Sequence, residues 1–432
     1  MTQDTLNWLT LAIFVVAVLH TFSVKQFEKL AHKYPKHHHT FHFLGEVEAV
    51  FGIWAAVLLI TLFAARGGEA TVAYVNRLNF TEPLFVFAIM VVAASKPIVS
   101  MVQGLVQFLA GQPSSLYNHK LLFLTLFLTP MLGSLITEPA AMTLAAFMLK
   151  KYFFTQDISN RFKYMIVGVL FVNVSVGGTL TPFAAPPVLM VAAKWGWDLH
   201  FMLTTFGWHA TLICLVNAAS LVFIQRTELS QLYAQQQAQV HTLSAGLSEQ
   251  GAHQSPVPWL LCAIHSAFLL GVVLLAHHPV LFIGLVLFFM AFVEAYPEHQ
   301  NKLFVRESLM VAFFLAGLVV LGGLQAWWLQ PLISGLTPTE LYFGATALTA
   351  ITDNAALTYL GSLVEGLSDE AKYLLVAGAV TGGGLTVIAN APNPAGYTIL
   401  KGHFHEQEIS PLGLFMAALP PTIVAILVFK CL

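Results

Sequence analysis

Two acidic residues interrupt long apolar stretches of this sequence in the same local pattern. Glu138 lies in the segment ITEPAAMT, and Asp353 lies 215 positions further along in the segment ITDNAALT. A carboxylate at the centre of a membrane helix costs about 3 kcal/mol on insertion scales, so an acid there usually marks a path for ions or protons. We therefore predict that both acids bind a cation or a proton. The alternative is a structural carboxylate that is capped by the backbone of its own segment.

Residues with oxygen-bearing side chains surround both acids. Pro139 breaks the helix beside Glu138, which leaves backbone groups free at the same place. Hydroxyl, amide and carboxylate oxygens are hard donors that suit Na+ or another hard cation and not a soft metal. The further predicted ligands are Thr137, Thr143, Thr352, Asn354 and Thr358.

A second pair of motifs follows the two acids. The segment GGTLTPFAAPP at residues 177–187 resembles GGGLTVIANAP at residues 382–392, at a spacing of 205 positions. Glycine pairs followed by prolines do not continue as regular helix, so both segments are predicted to be breaks inside membrane helices. Unwound backbone at membrane depth must be buried in protein or line a cavity, where it coordinates small ions. The alternative is that the glycines only allow close helix packing. The predicted broken-helix residues are Asn173, Ser175, Gly177, Gly178, Thr179, Thr181, Gly382, Gly383, Gly384, Thr386, Asn390 and Asn393.

The composition indicates what positions these motifs. Of 432 residues, 57% are hydrophobic and 9% are charged, and the mean hydropathy is +0.75. These values are typical of a polytopic membrane protein. The formal net charge of -2 and the lack of a Lys/Arg run give no indication of nucleic-acid binding. No nucleophile–base pair or cofactor motif indicates an enzyme, and no cofactor is expected.

Twelve apolar windows predict an all-α membrane protein with ten spans and two re-entrant hairpins, arranged as two inverted repeats with broken helices. The predicted parts are N-terminal scaffold spans at 1–82, a first repeat at 83–225 with its hairpin at 121–149 and broken helix at 164–195, a cytoplasmic linker at 226–256, scaffold spans at 257–302, and a second repeat at 303–432 with its hairpin at 338–366 and broken helix at 371–400.

The charges that flank the two hairpins predict opposite orientations. Lys120, Lys150 and Lys151 flank the first hairpin, so it is predicted to enter from the cytoplasm. Acidic residues, among them Glu340 and Asp369, flank the second, so it is predicted to enter from outside. This scheme places most of the 19 Lys and Arg residues inside and both termini in the periplasm. Two units of opposite orientation are typical of secondary transporters.

The duplicated hairpin tips and glycine breaks resemble the ion transporter superfamily, which includes NhaD-type sodium/proton antiporters, arsenite and citrate carriers, and divalent anion/sodium symporters. The resemblance covers residues 83–225 and 303–430 and is closest to a group of sodium/proton antiporters. The symporter tips read Ser-Asn-Thr, whereas the aligned triplets here are residues 137–139, Thr-Glu-Pro, and residues 352–354, Thr-Asp-Asn. The resemblance implies a homodimer and an elevator-like movement of hairpin and broken helix against a scaffold.

We therefore predict a cation/proton antiporter of the bacterial inner membrane that exchanges Na+ (or Li+) for H+. Desolvation raises the pKa of a carboxyl group and a bound cation favours its ionised form, so the two ions compete for one site. Apart from the transported cation, no metal is expected. One alternative is a sodium- or proton-coupled symporter of a dicarboxylate, citrate or inorganic anion. Another is a non-transporting membrane sensor with a histidine-rich loop as its input.

Other polar residues in apolar windows have two interpretations each. Lys96 is a possible charge partner of Glu138 or Asp353, and the alternative is snorkelling or a structural salt bridge. The histidines of the run KHHHTFHF suggest a metal site or pH sensor, or an ordinary polar loop. Glu46, Glu48 and Glu294 are assigned to the membrane interface, and His209, His265 and Asn217 to the core; the loop histidines are His37, His38, His39 and His42.

Overall fold

The structure is a computed structural model that describes residues 2–112, 114–243 and 257–432. Its regular secondary structure is helical, and the described residues contain no strand. The protein is therefore all-α, as predicted. In chain order the helices are Gln3–Thr21, Val24–Lys33, His38–Leu44, Val47–Arg66, Gly68–Arg77, Thr81–Ala93, Lys96–Ala110, Tyr117–Ile136, Glu138–Leu149, Asn160–Gly177, Pro186–Trp195, Leu199–Phe201, Trp208–Ile224, Arg226–Leu243, Trp259–Leu274, Pro279–Glu294, Val305–Gly322, Ala326–Ser334, Pro338–Thr349, Asn354–Ser362, Asp369–Gly382, Asn393–Leu400 and Pro411–Cys431.

Several of these helices have the length and composition of membrane spans. Among the described residues, seven are long and apolar enough to cross a bilayer, and an eighth results if the bent pair Gly68–Arg77 and Thr81–Ala93 is one span. The protein is therefore a multi-pass membrane protein. The helices Trp259–Leu274 and Pro279–Glu294, both predicted to span, have 16 residues each and are shorter than an upright span requires. The number of ten spans stays a prediction.

Both predicted hairpins form two helices that meet at a short turn. Residues 117–149, the first hairpin, turn at the single residue Thr137 between Tyr117–Ile136 and Glu138–Leu149. A Cβ atom at Gly133 would lie 3.1 Å from the Cβ of Ala141, so the two arms pack closely. Residues 338–362, the second hairpin, turn at residues 350–353. The first arm of the first hairpin has 20 residues and is itself long enough to cross, so its return to one side stays a prediction.

Both glycine motifs interrupt helices. In the first broken helix, residues 160–195, the helix Asn160–Gly177 ends in a short 3-10 turn before Pro186–Trp195 begins. In the second, residues 369–400, Asp369–Gly382 ends before Asn393–Leu400 begins. Serine caps both helices at the same place: the hydroxyls of Ser159 and Ser368 accept hydrogen bonds from N–H groups three residues on, at 3.2 and 3.1 Å.

The two halves of the chain exchange contacts reciprocally. The helix Pro186–Trp195 of the first broken helix packs on Asn354–Ser362 of the second hairpin. In the same way, Asn393–Leu400 of the second broken helix packs on Glu138–Leu149 of the first hairpin. The hairpins and broken helices therefore form one packed unit.

The helix that precedes each hairpin is also interrupted, which the apolar windows do not predict. The first breaks at Ser95 between Thr81–Ala93 and Lys96–Ala110, and the second breaks before Gln325. Both side chains are fully buried and bond to helices outside the two segments predicted to be repeats. The Ser95 hydroxyl lies 2.9 Å from Nδ1 of His265, and the Gln325 amide donates to the Thr10 carbonyl at 3.4 Å. These bonds attach the leading helices to the surrounding scaffold.

Part of the predicted linker is ordered helix. Residues 226–243 form the helix Arg226–Leu243, in which Leu229 and Leu232 are buried against the first half of the chain. Glu228 accepts hydrogen bonds from the backbone N–H and the hydroxyl of Ser159, the cap of the first broken helix. The remaining linker residues 244–256 lie outside the described residues.

Candidate functional site

Glu138 is the first residue of the second arm of the first hairpin, and its side chain is fully buried. Oε2 accepts a hydrogen bond of 2.9 Å from the side-chain amide of Asn390, which lies within the second glycine motif. Oε1 forms no hydrogen bond with any described residue. The acid of one half of the chain is thus held by the amide of the other half, while one carboxylate oxygen stays available for a ligand.

The local backbone explains how Glu138 reaches this position. Thr137 turns the chain with φ at +79°, a conformation that is strained for a β-branched residue and that clusters at functional sites. Gly178 lies directly against the carboxyl group of Glu138, and a Cβ atom at Gly178 would collide with it. Glycine is therefore needed at position 178 because the carboxyl group of Glu138 packs against its Cα, in addition to the role of the glycine motif in ending the helix.

Asp353 has a different local role. It is the N-cap of Asn354–Ser362, and its Oδ1 accepts hydrogen bonds from the N–H groups of Ala355 at 2.8 Å and Ala356 at 3.2 Å. This oxygen is therefore capped by the backbone of its own segment, which is the alternative to an ion-binding role. The carboxylate also faces the backbone N–H of Ala391, and its side chain is buried. Asp353 both begins a helix and contributes charge to the site.

Two consecutive residues of the second broken helix link the acids. The side chain of Asn390 bonds to Glu138, and the backbone N–H of the next residue, Ala391, faces Asp353. Because these two residues are adjacent in the chain and both acids are buried, the two carboxyl groups lie in one buried region. Like charges in a region of low dielectric disfavour the state in which both are ionised and no cation is bound.

Equivalent contacts occur around both breaks. The Thr181 hydroxyl donates to the carbonyl of Ser134 in the first hairpin at 2.7 Å, and the Thr386 hydroxyl donates to the carbonyl of Ala350 in the second at 2.9 Å. Gly177 packs on the backbone of Pro130, and Gly382 packs on that of Thr346. Each break is therefore attached to the hairpin of its own half by the same kind of bond.

These contacts align the two hairpin tips one residue differently from the alignment of their sequences. Gly178 lies against Glu138, whereas its counterpart Gly383 lies against Asn354 and Ser175. Glu138 and Asn354 are also the first residues of their second arms. The structural counterpart of Glu138 is therefore Asn354, and Asp353 lies one position earlier. The sequence alignment pairs the acids because it has no information on where each helix begins.

Several buried oxygen atoms around the tips have no hydrogen-bond partner among the described residues. Besides Oε1 of Glu138, they belong to the side chains of Thr137, Thr349, Asn354, Asn390 and Asn393. A buried polar atom without a partner costs free energy and calls for a role in the native protein. Carboxylate, hydroxyl and amide oxygens together form a donor set that suits a hard cation such as Na+.

Some of the remaining predicted residues form hydrogen bonds to backbone carbonyls near the breaks, and others are only half-buried. The amide of Asn393 donates to the carbonyls of Gly383 and Thr386, at 2.8 Å each, and so holds the second break open. Thr143 and Thr352 are half-buried. Thr179, Thr358 and Ser175 are fully buried and donate to backbone carbonyls, those of Val176, Ala355 and Val380.

Asn173 lies within Asn160–Gly177, a turn before the break, where it supports the first hairpin. Pro130 has no N–H group and leaves the carbonyl of Leu126 without its helical donor. The Asn173 amide donates to this carbonyl at 2.7 Å. Asn217, assigned to the core from the sequence, donates in turn to Oδ1 of Asn173 at 2.9 Å. Sequence reasoning missed this support and also Ser134, whose hydroxyl donates to Gly177 at 2.7 Å and accepts from Leu180 at 2.9 Å.

The charged residues outside the tips have the following positions. Lys96 begins the helix Lys96–Ala110, is half-buried and forms no salt bridge with a described acid, so its predicted pairing stays a prediction. Glu46 forms an ion pair with Arg306, and its Oε1 also lies 3.1 Å from Nδ1 of His42. Within the described residues no group of three or more His, Cys, Asp or Glu side chains could hold a metal ion. Glu48 lies in the first turn of Val47–Arg66 and is half-buried.

Comparison with known families is consistent with this geometry. The sequence profile of a family described as "Putative Na+/H+ antiporter" matches residues 5–432. The chain belongs to this family. Membership supports a transporter over an enzyme and confirms the predicted class of cation/proton antiporter at the level of the family. A search of curated proteins found no match. The wider likeness to the ion transporter superfamily stays a prediction.

Proposed function

We propose that the protein exchanges Na+ for H+ at a single buried site that contains Glu138 and Asp353. The observation that carries this proposal is the environment of Glu138: one carboxylate oxygen bonds to Asn390, and the other has no partner among the described residues. A buried carboxylate of this kind is neutral with a proton or compensated by a cation, because an uncompensated buried charge is costly. Proton and Na+ therefore exclude each other at Oε1.

The proposed Na+ ligands come from both halves of the chain. Glu138 and Thr137 supply a carboxylate and a hydroxyl oxygen from the first hairpin, and Asn390 supplies an amide oxygen from the second broken helix. Asp353 adds negative charge from the second hairpin. Exchange of two protons for one Na+ follows if both acids titrate, and the cycle is then driven by membrane potential at about 2.3 kcal/mol per charge for each 100 mV. Li+ is expected to compete because it takes the same oxygen ligands.

We further propose that the two halves are inverted repeats and that hairpins and broken helices move as one body against the scaffold. The reciprocal packing of each broken helix on the opposite hairpin supports this division, since a relative movement of the two hairpins would break those contacts. The proposal includes a homodimer in the bacterial inner membrane with both termini in the periplasm.

The test is ion exchange in reconstituted vesicles. With an imposed pH gradient and a pH-sensitive dye, addition of Na+ or Li+ is expected to release protons through wild-type protein and not through Glu138→Gln. Glu370→Gln is the matched control, because it makes the same chemical change at an exposed acid of the second broken helix. Lack of any Na+-dependent pH change between pH 6 and 9 contradicts the proposal. Uptake of labelled citrate or a dicarboxylate in its place would identify an anion symporter.

A further inference from the structure

A groove at the start of the first hairpin combines basic side chains with apolar walls. It lies between the helices Tyr117–Ile136 and Trp208–Ile224, where Arg226–Leu243 begins, and it has a volume of about 400 Å³. It lies away from the acids of the proposed ion site. The residues that line this basic groove are His119, Lys120, Phe123, Ala219, Val222, Phe223 and Arg226.

The basic groove carries positive charge that no described acid neutralises. Lys120 and Arg226 are exposed, and neither forms a salt bridge with a described residue. The Arg226 guanidinium stacks over the Phe223 ring, 4.6 Å from its centroid, which holds the cation at the groove. Nε2 of His119 donates a hydrogen bond to the backbone carbonyl of Arg226 at 3.2 Å. Nδ1 of His119 is buried and has no partner among the described residues. Three nitrogen-bearing side chains therefore converge on one place.

The other walls of the basic groove are apolar and continue into the lipid-facing surface. The Phe123 ring stacks on Phe127 with 5.3 Å between the ring centroids. Phe223 is 67% exposed, and the next residue, Ile224, is 55% exposed. They are the last two residues of Leu199–Ile224, a segment that is long and apolar enough to cross a membrane. The groove thus has a charged end where the span stops and an apolar wall along the span.

We propose that the basic groove binds an anionic phospholipid. Its phosphate accepts hydrogen bonds from Lys120 and Arg226, and an acyl chain lies along Phe123, Val222 and Phe223. Basic side chains at the end of a span attract anionic headgroups, and a guanidinium binds phosphate through two parallel hydrogen bonds. A zwitterionic lipid has no net charge to compensate the two cations. This inference does not depend on which ion the protein transports.

Bound lipid is expected to stabilise the attachment of the helix Arg226–Leu243. This helix begins in the basic groove, and two residues later Glu228 holds Ser159, the cap of the first broken helix. A phosphate that neutralises Arg226 and Lys120 removes their mutual repulsion at this junction. A ligand that binds the folded state raises the unfolding temperature.

The test is thermal unfolding and lipid retention of the full-length protein in detergent. Added phosphatidylglycerol or cardiolipin is expected to raise the unfolding temperature of wild-type protein, and phosphatidylcholine or inorganic phosphate is not. The double variant K120Q/R226Q is expected to bind the anionic lipid about 30-fold more weakly, since each basic group near a membrane surface contributes about fivefold in affinity. The matched control is K36Q/K302Q, which removes two exposed lysines outside the groove.

Two results overturn the proposal. One is an equal response to anionic lipid in K120Q/R226Q and K36Q/K302Q, which would show a general effect of charge. The other is a response of wild-type protein to phosphatidylcholine or inorganic phosphate as large as that to phosphatidylglycerol. Lipid retained by each purified variant, measured by mass spectrometry, keeps the test decisive if K120Q/R226Q unfolds at a lower temperature from the start.

Discussion

The two hairpin tips have closely related sequences but hold their acids in different ways. Glu138 reaches across to the other half of the chain, where Asn390 binds one of its oxygens. Asp353 caps the helix that follows it, through Ala355 and Ala356. The residue of the second tip that occupies the position equivalent to Glu138 is the neutral Asn354. The pair of tips is therefore asymmetric in charge, although the surrounding backbone contacts are equivalent.

The difference teaches that duplicated acids need not have duplicated roles. A carboxylate that caps a helix is fixed by two N–H groups, and these two bonds hold one of its oxygens in place. A carboxylate with one unpartnered oxygen takes up a proton or a cation at that oxygen. We infer that Glu138 is the principal exchanging group and that Asp353 combines its capping role with that of a second titrating acid.

The largest expected effect is that of Glu138→Gln. The amide keeps the size of the side chain and can still bond to Asn390, but it holds neither an exchangeable proton nor negative charge. We expect Na+-dependent proton release in vesicles to fall to the background of empty vesicles, while the elution volume and unfolding temperature stay close to those of Glu370→Gln. Substantial exchange by Glu138→Gln would remove Glu138 from the central role.

Substitutions of Asp353 are expected to separate capping from charge. Asn is as good an N-cap as Asp, so Asp353→Asn should unfold like wild type, whereas Asp353→Ala should lose about 1 kcal/mol of stability. We expect Asp353→Asn to retain measurable exchange but to lose its dependence on membrane potential, because one titrating group remains. The measurement is Na+-driven proton release with and without a valinomycin-imposed K+ potential. Equal loss of exchange in Asp353→Asn and Glu138→Gln would make the two tips equivalent.

Asn390→Ala tests the link between the halves. It removes the hydrogen bond to Oε2 of Glu138 and one proposed Na+ ligand, and a bond to a charged group contributes about 1.5–3 kcal/mol. We expect the Na+ concentration for half-maximal exchange to rise by about tenfold or more. The control is Asn217→Ala, which removes a buried amide that bonds to Asn173 and not to an acid. A smaller increase in Asn390→Ala than in Asn217→Ala would contradict the proposed role of Asn390.

Much of this architecture is predictable from local sequence patterns. Glycine pairs followed by proline predict both broken helices, because these residues end helices wherever they stand. The two acids in apolar stretches likewise predict the position of the proposed ion site, and its role in transport stays a prediction. The bond between Glu138 and Asn390 joins residues 252 positions apart, and no local pattern encodes which amide of the second break meets the acid. The one-residue shift between the tips is also invisible in sequence, since it depends on where each helix begins.

The smallest expected effects come from the matched pair Thr181→Val and Thr386→Val. Each removes a single hydroxyl that joins a break to its own hairpin, at 2.7 Å in the first half and 2.9 Å in the second. A typical intramolecular hydrogen bond contributes about 1 kcal/mol to stability, so both variants should unfold at slightly lower temperature. Because only the first hairpin carries Glu138, Thr181→Val should reduce Na+ affinity more than Thr386→Val does. Na+ titrations of proton release, run in parallel with thermal unfolding, measure this difference. Equal losses of affinity in the two variants would show that the breaks act symmetrically and that the asymmetry ends at the acids themselves.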